Sequence, residues 1–249
     1  MKIFFQFSFF ITLMLICFNI KIIGQNQPFI QSGKMTSKSG ETVMKPDSGT
    51  CGSISHGGQL YHTVVIGYQC WMKENLNIGK WVDQGQLQRQ TDNGQIEKYC
   101  FGNDFVQCDL WGGLYQWDEM MQYIENPGAQ GICPGGWHIP TAQDWKELIR
   151  FLGGNSEAGG TLKSSGTRDW QVPNVGATNA SGFTAYPGGI FDYMSQQWQD
   201  QYVGGYYWSS EMITKETNVA LFLTSRSGSV ELDEEYRPSA LSVRCIRNE

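Results

Sequence analysis

Seven cysteines, spaced so that no two form a CxxC pair, constrain this 249-residue chain more than any other feature. Cys17 lies in an apolar N-terminal run; the other six are Cys51, Cys70, Cys100, Cys108, Cys133 and Cys245. Without CxxC spacing the sequence signals neither a thioredoxin-like redox pair nor a zinc ribbon. An even set of cysteines in an exported chain reads as a disulfide framework, whose pairing the count alone leaves open.

The export reading comes from the first residues. Lys2 supplies a positive start, and Ile3 to Phe18 is apolar apart from Gln6, Ser8 and Thr12. That run falls short of the roughly 20 residues a membrane-spanning helix needs. It is read as the apolar core of a signal peptide, residues 1–24, with Gly24 before Gln25 as the cleavage point. Ile16 stands where a lipobox wants a small side chain, so a secreted or cell-surface protein is expected ahead of a lipoprotein anchored through Cys17. Residues 25–50 are polar and read as a flexible linker. The domain proper is expected at 51–249, with no membrane span in the mature form.

Removing residues 1–24 takes away Lys2, Lys21 and no acid, leaving the mature chain two units more negative than the formal −6 of the whole. An acidic protein without a basic run is unsuited to nucleic acid or anionic membranes. Charged residues make up 17% and aromatics 13%, the opposite of a disordered composition. Thirty glycines beside nine tryptophans suggest tight loops packed under large rings.

Leu60 to Met72 is β-branched and aromatic, with Gly67 as a turn or bulge, and reads as one or two strands. Gly113 to Tyr123 spaces Leu114, Trp117 and Met121 as a short amphipathic helix. The strongest local signal is residues 140–154. Trp145, Leu148, Ile149 and Leu152 share one helix face, Thr141 caps the start with Asp144 at N3, and Gly153 and Gly154 end it. Loop is expected from there to about residue 205. Strands are expected at Tyr206–Ser209, Asn218–Ser225 and Leu241–Ile246. Two short helices with antiparallel strands at both ends describe an α+β domain.

Six segments in order resemble the Fibrobacter succinogenes major paralogous domain, a family of exported bacterial proteins. They are Tyr61–Leu76, Gly113–Trp117, Cys133–Trp145, Thr178–Gly189, Tyr207–Ser210 and Leu241–Ile246. The resemblance covers roughly residues 51–247. It implies a C-type-lectin-like fold: loop-rich, two short helices on small antiparallel sheets, with both chain ends in one sheet. It brings no agreed activity and no catalytic residues. Against this background we expect Cys133–Cys245, tying the main helix to the last strand. Cys51–Cys70 and Cys100–Cys108 are expected as local bridges by proximity in the chain.

His138-Ile-Pro-Thr-x-x-Asp-Trp145 also resembles formylglycine-generating enzymes, whose chemistry needs two working cysteines late in the chain. Only Cys245 lies there. His56, His62 and His138 carry no nucleophile-elbow, HExxH or phosphate-loop pattern. The calcium motifs of sugar-binding C-type lectins are missing. Asp92, Asp104 and Asp109 read as loop carboxylates, so no metal or cofactor is expected.

Trp71, Trp117, Trp137, Trp145 and Trp208 fall within the family-like segments and read as core. Residues 193–207 differ, surrounding Trp198, Tyr202 and Tyr206 with Gln, Asp and Gly. Exposed rings among amides suit a glycan or protein contact surface; rings folded back on the core are the alternative. With Arg226, Tyr236 and Arg237 they form the expected ligand face, since the irregular chain before the last strands carries ligands in C-type-lectin-like domains. The leading expectation is a secreted or surface-displayed binding module for a glycan or extracellular protein. The alternatives are a self-associating structural subunit of an extracellular assembly and, last, an enzyme related to formylglycine-generating enzymes.

Overall fold

The computed structural model describes residues 49–83 and 89–249. The expected signal peptide, and all but the last two residues of the expected linker, lie outside them. In chain order the strands are β1 (Ser53–His56), β2 (Gln59–Ile66), β3 (Gln69–Met72), β4 (Lys80–Trp81), β5 (Glu97–Lys98), β6 (Leu114–Gln116), β7 (Trp137–His138), β8 (Ile190–Asp192), β9 (Gln197–Gln199), β10 (Gly204–Met212), β11 (Thr217–Thr224), β12 (Val230–Tyr236), β13 (Ala240–Ser242) and β14 (Ile246–Arg247). The helices are α1 (Phe105–Trp111), α2 (Trp117–Met120), α3 (Ala142–Phe151) and α4 (Asn155–Leu162).

One sheet has the order β1-β2-β3-β14-β7 and is antiparallel throughout. Its β2–β3 hairpin turns at Gly67, where φ is +65°, a left-handed conformation that glycine adopts without Cβ strain. The first strands and the last strand therefore share a sheet. The second sheet runs β12-β11-β10-β13-β8-β9, with β6 also paired to β13. Its β10–β13 pairing is parallel, Tyr207 opposite Ser242. A parallel pair, β4–β5, stands apart.

The chain is mixed α and β, as expected, but the second sheet is larger and the helices more numerous than the sequence suggested. The expected helix at 113–123 is instead β6 followed by the single turn of α2. Pairing with β13 wins over the helical spacing of Leu114, Trp117 and Met121. Helix α3 forms as expected. Thr141 Oγ1 accepts from the Asp144 N–H at 3.1 Å, and Asp144 accepts from the Thr141 N–H at 2.8 Å. The expected loop after it contains α4. Two glycines conceal that helix in the sequence, and close packing requires them. A Cβ on Gly159 would lie 2.0 Å from the Ser229 carbonyl oxygen, and one on Gly160 2.3 Å from that of Gly176.

The expected strand 241–246 splits. Its first part, β13, joins the large sheet, and β14 joins the other. Val243, Arg244 and Cys245 cross between them and are all fully buried. Trp71, Trp117, Trp145 and Trp208 are buried completely and Trp137 nearly so, which makes the family-like tryptophans core. The rings of Trp71 and Trp145 stack at 4.6 Å, joining β3 to α3.

Three disulfides staple this frame: Cys51–Cys70, Cys100–Cys108 and Cys133–Cys245, with Cα atoms 6.3, 5.1 and 5.9 Å apart. All three expected pairings form. The Lys163 ammonium, also buried, donates to the carbonyls of Val175, Thr224 and Ser227 at 2.9, 2.8 and 2.7 Å. Burial pulls its pKa down to about 8, which still leaves it charged at neutral pH. Three acceptors match its three protons, so it ties the end of α4 to the end of β11 and to the loops at Val175 and Ser227.

Candidate functional site

The six residues of the expected ligand face do not form one surface. Trp198 lies in β9 between Phe101 and Phe191, with ring centroids 5.2 Å from each. Those neighbours belong to a small core with Tyr99, Leu114 and Ala240. Trp198 is thus a packing residue, because pairing of β8 with β9 sets it opposite Phe191. Tyr202 is 40% exposed and meets the Trp111 ring edge-on at 5.9 Å. Tyr206 packs on Phe222, and its hydroxyl donates to Asp200. Burial and that carboxylate push its pKa up. Arg226 is exposed at the end of β11.

Tyr236 and Arg237 do come together with other groups. They line an open cleft of about 830 Å³ along with Arg89, Asp118, Tyr123 and Tyr193, among others. Arg237 forms its floor. Its guanidinium donates to Asp118 from Nε at 2.7 Å, reaches Glu125 from Nη2 at 2.9 Å, and lies 4.5 Å from the centre of the Trp117 ring. Five fixed donors on a planar group suit such a multiply bonded position, which a lysine would not fill. The local sequence sets this up: the Arg237 backbone N–H donates to Glu216, and its carbonyl accepts from Trp117 at the start of α2.

The walls are aromatic. Arg89 stacks 5.0 Å from the Tyr193 ring centre and donates to the Tyr193 hydroxyl at 2.8 Å. The Tyr123 hydroxyl donates at 2.8 Å to Glu119, a buried carboxylate that also accepts from the Glu97 N–H. Burial raises the Glu119 pKa, and those hydrogen bonds only partly offset it. Tyr236 is 37% exposed, and among the described residues its hydroxyl makes no hydrogen bond. No lining residue of the cleft falls within the six family-like segments. Arg89 and Tyr193, 104 residues apart, carry no local signal of their meeting. Asp118 lies within α2 and Glu125 beyond its end, and the sequence overstated the extent of that helix.

The histidines lie apart. His56 Nε2 is 2.9 Å from the Ile132 carbonyl, and His62 pairs with Glu74 at the surface. His138 Nδ1 is 2.7 Å from Asn248 and Nε2 is 3.4 Å from Asp144. Burial works against a charged His138 ring, but these partners outweigh it and raise its pKa. Among the described residues, no histidine is hydrogen-bonded to a serine, threonine or cysteine. Of the expected loop carboxylates, Asp104 stays exposed outside the helix and Asp109 does not lie in a loop. Asp104 caps α1 by accepting from the Val106 N–H at 3.0 Å, and Asp109 lies within that helix. Among the described residues, no group of three or more His, Cys, Asp or Glu side chains is placed to hold a metal ion, and no helix is long and apolar enough to cross a membrane.

No curated protein and no solved structure matches the chain. The Fibrobacter succinogenes major domain matches residues 64–247, from the second strand of the hairpin sheet to its last. This span is well over half of the sequence and holds the whole of both large core clusters beyond Tyr61, and the chain belongs to the Fibrobacter succinogenes major domain family.

Proposed function

We propose that this protein is an extracytoplasmic binding module, exported by its N-terminal segment and secreted or held at the cell surface. Its scaffold is read as C-type-lectin-like. The shared sheet of first and last strands supports that assignment, and the three disulfides support an oxidising destination. One observation carries the binding reading. The domain presents a concave, part-aromatic cleft whose floor is fixed by Arg237 and whose lining is independent of the family-like core segments. Ligand sites are typically concave and largely preformed. The test uses fluorescently labelled protein on isolated bacterial cell-surface material. The double variant Tyr193→Ala and Tyr236→Ala should lose binding while keeping the wild-type melting temperature. Undiminished binding by that variant sinks the assignment.

A self-associating subunit is the second reading. Phe105, Val106 and Leu110 of α1 are each about half exposed, and Trp81 stands 6.2 Å from Phe105. Light scattering on the purified protein decides it. A monomer at high concentration rules it out.

A further inference from the structure

We propose that the cleft takes a neutral oligosaccharide, one sugar packing a C–H face on Tyr236 while its hydroxyls pair with Asp118, Glu125 and Arg89. This rests on the reading of the cleft as a ligand site and specifies its chemistry.

The charges of the lining argue first. Three cations, Arg89, Lys215 and Arg237, face three carboxylates, Asp118, Glu125 and Glu216. Arg237 is already neutralised by Asp118 and Glu125. The formal charges of the lining sum to zero and so favour neither sign of ligand, and the acidic chain around it opposes a polyanion.

The hydrogen-bonding groups argue second. Arg237 holds one oxygen each of Asp118 and Glu125, Oδ1 and Oε1. Among the described residues, Asp118 Oδ2 and Glu125 Oε2 make no hydrogen bond. Arg89 uses Nη2 on Tyr193, leaving further N–H donors. A sugar hydroxyl both donates and accepts, so a row of hydroxyls fits a wall that offers both kinds of group. An anion would face the two free carboxylate oxygens, and an ammonium the guanidinium and Lys215.

The aromatic surface argues third. Tyr236 offers a ring and a free hydroxyl on one residue, an apolar body with a polar tip. Because Arg237 holds the acceptor carboxylates in place before any ligand arrives, little ordering cost falls on binding.

Calorimetry on the exported, disulfide-bonded protein tests this with neutral hexose oligosaccharides, uronate oligosaccharides and amino-sugar oligosaccharides. We expect a neutral series to bind, with affinity changing less than about twofold when salt rises from about 0.05 to 0.3 M. Tyr236→Ala should weaken binding about tenfold or more, and Tyr236→Phe much less, both at unchanged melting temperature. Preference for uronates or amino sugars, with steep salt dependence, overturns the inference. So does failure to bind any oligosaccharide by a protein whose cell-surface binding still depends on Tyr193 and Tyr236; in that case the ligand site stands and its chemistry is wrong. Cell-surface binding indifferent to those tyrosines removes the site itself.

Discussion

Arg244 and Asn75 lock together where the chain passes from one sheet to the other. Nε and Nη2 of the buried guanidinium both donate to Asn75 Oδ1, at 3.1 and 2.7 Å. The remaining donors reach the carbonyls of Met72, Phe183 and Thr184. No carboxylate touches it among the described residues; burial lowers its pKa, and the Phe183 ring lies 4.3 Å away. Asn75, Phe183, Thr184 and Arg244 come from three of the six family-like segments, so the signature of the family is here a packing signature.

Arg244→Lys should therefore be severe although it keeps the charge. Three donors on a flexible stem cannot reproduce the planar fork, and several buried carbonyls lose their partner. Each orphaned group costs about 1–3 kcal/mol. We expect a loss of roughly 3 kcal/mol or more, read from urea unfolding. A loss within about 0.5 kcal/mol, the range of neutral surface changes, contradicts this account.

The Cys133–Cys245 bridge closes a loop across a sequence separation of 112 residues. In the chain-entropy model such a loop contributes about 4–5 kcal/mol. Replacing both cysteines by serine should bring a drop of that order in unfolding free energy, the buried hydroxyls adding to it. Peptide mapping under non-reducing conditions should show no free thiol in the six bridged cysteines.

Trp198 and Tyr236 should behave oppositely. Trp198→Ala removes a ring held between Phe101 and Phe191, and because it is only partly buried the cost should be about 2–3 kcal/mol, below the range for a fully buried tryptophan. Tyr236→Ala should stay within about 0.5 kcal/mol. Melting curves of the two single variants separate a packing residue from a cleft wall without any ligand.

His138 and Asp144 predict a pH window. The raised His138 pKa gives stability that is complete below its ordinary 6.5 and lost as pH rises through the folded value. Burial opposes the Asp144 charge, but hydrogen bonds from His138 and Thr141 outweigh it and lower its pKa. Its contribution is present above the ordinary 3.8 and lost as pH falls through the folded value. Both are in place between about pH 4 and 6.5. The melting temperature should fall less between pH 6 and 8 in His138→Gln than in the wild type. Parallel curves would remove this pair from the pH response.

The parts of the fold legible in the sequence were those fixed by short-range rules. Thr141 and Asp144 announced α3 because a capping box needs only four residues, and Gly67 marked its hairpin. Leu241 to Ile246 misled because alternation implies one buried face, whereas this segment passes between two sheets and buries both. Gly159 and Gly160 hid α4, since their value lies in contacts with Ser229 and Gly176 that spacing does not show. Of the cleft, Tyr236 and Arg237 were legible as loop-face residues. Arg89, Asp118 and Tyr193 were not, because the cleft exists only once β12 and α2 are brought side by side by the Arg237 backbone.

The position of β14 sets an order of events. It occupies an interior place in its sheet, between β3 and β7, yet it is synthesised after every other strand. Until it arrives, β3 and β7 have no common partner, Cys133 has no Cys245 to meet, and Arg244 cannot fill its seat. Chain growth thus delivers the closing piece last, and the full set of tertiary contacts cannot form early.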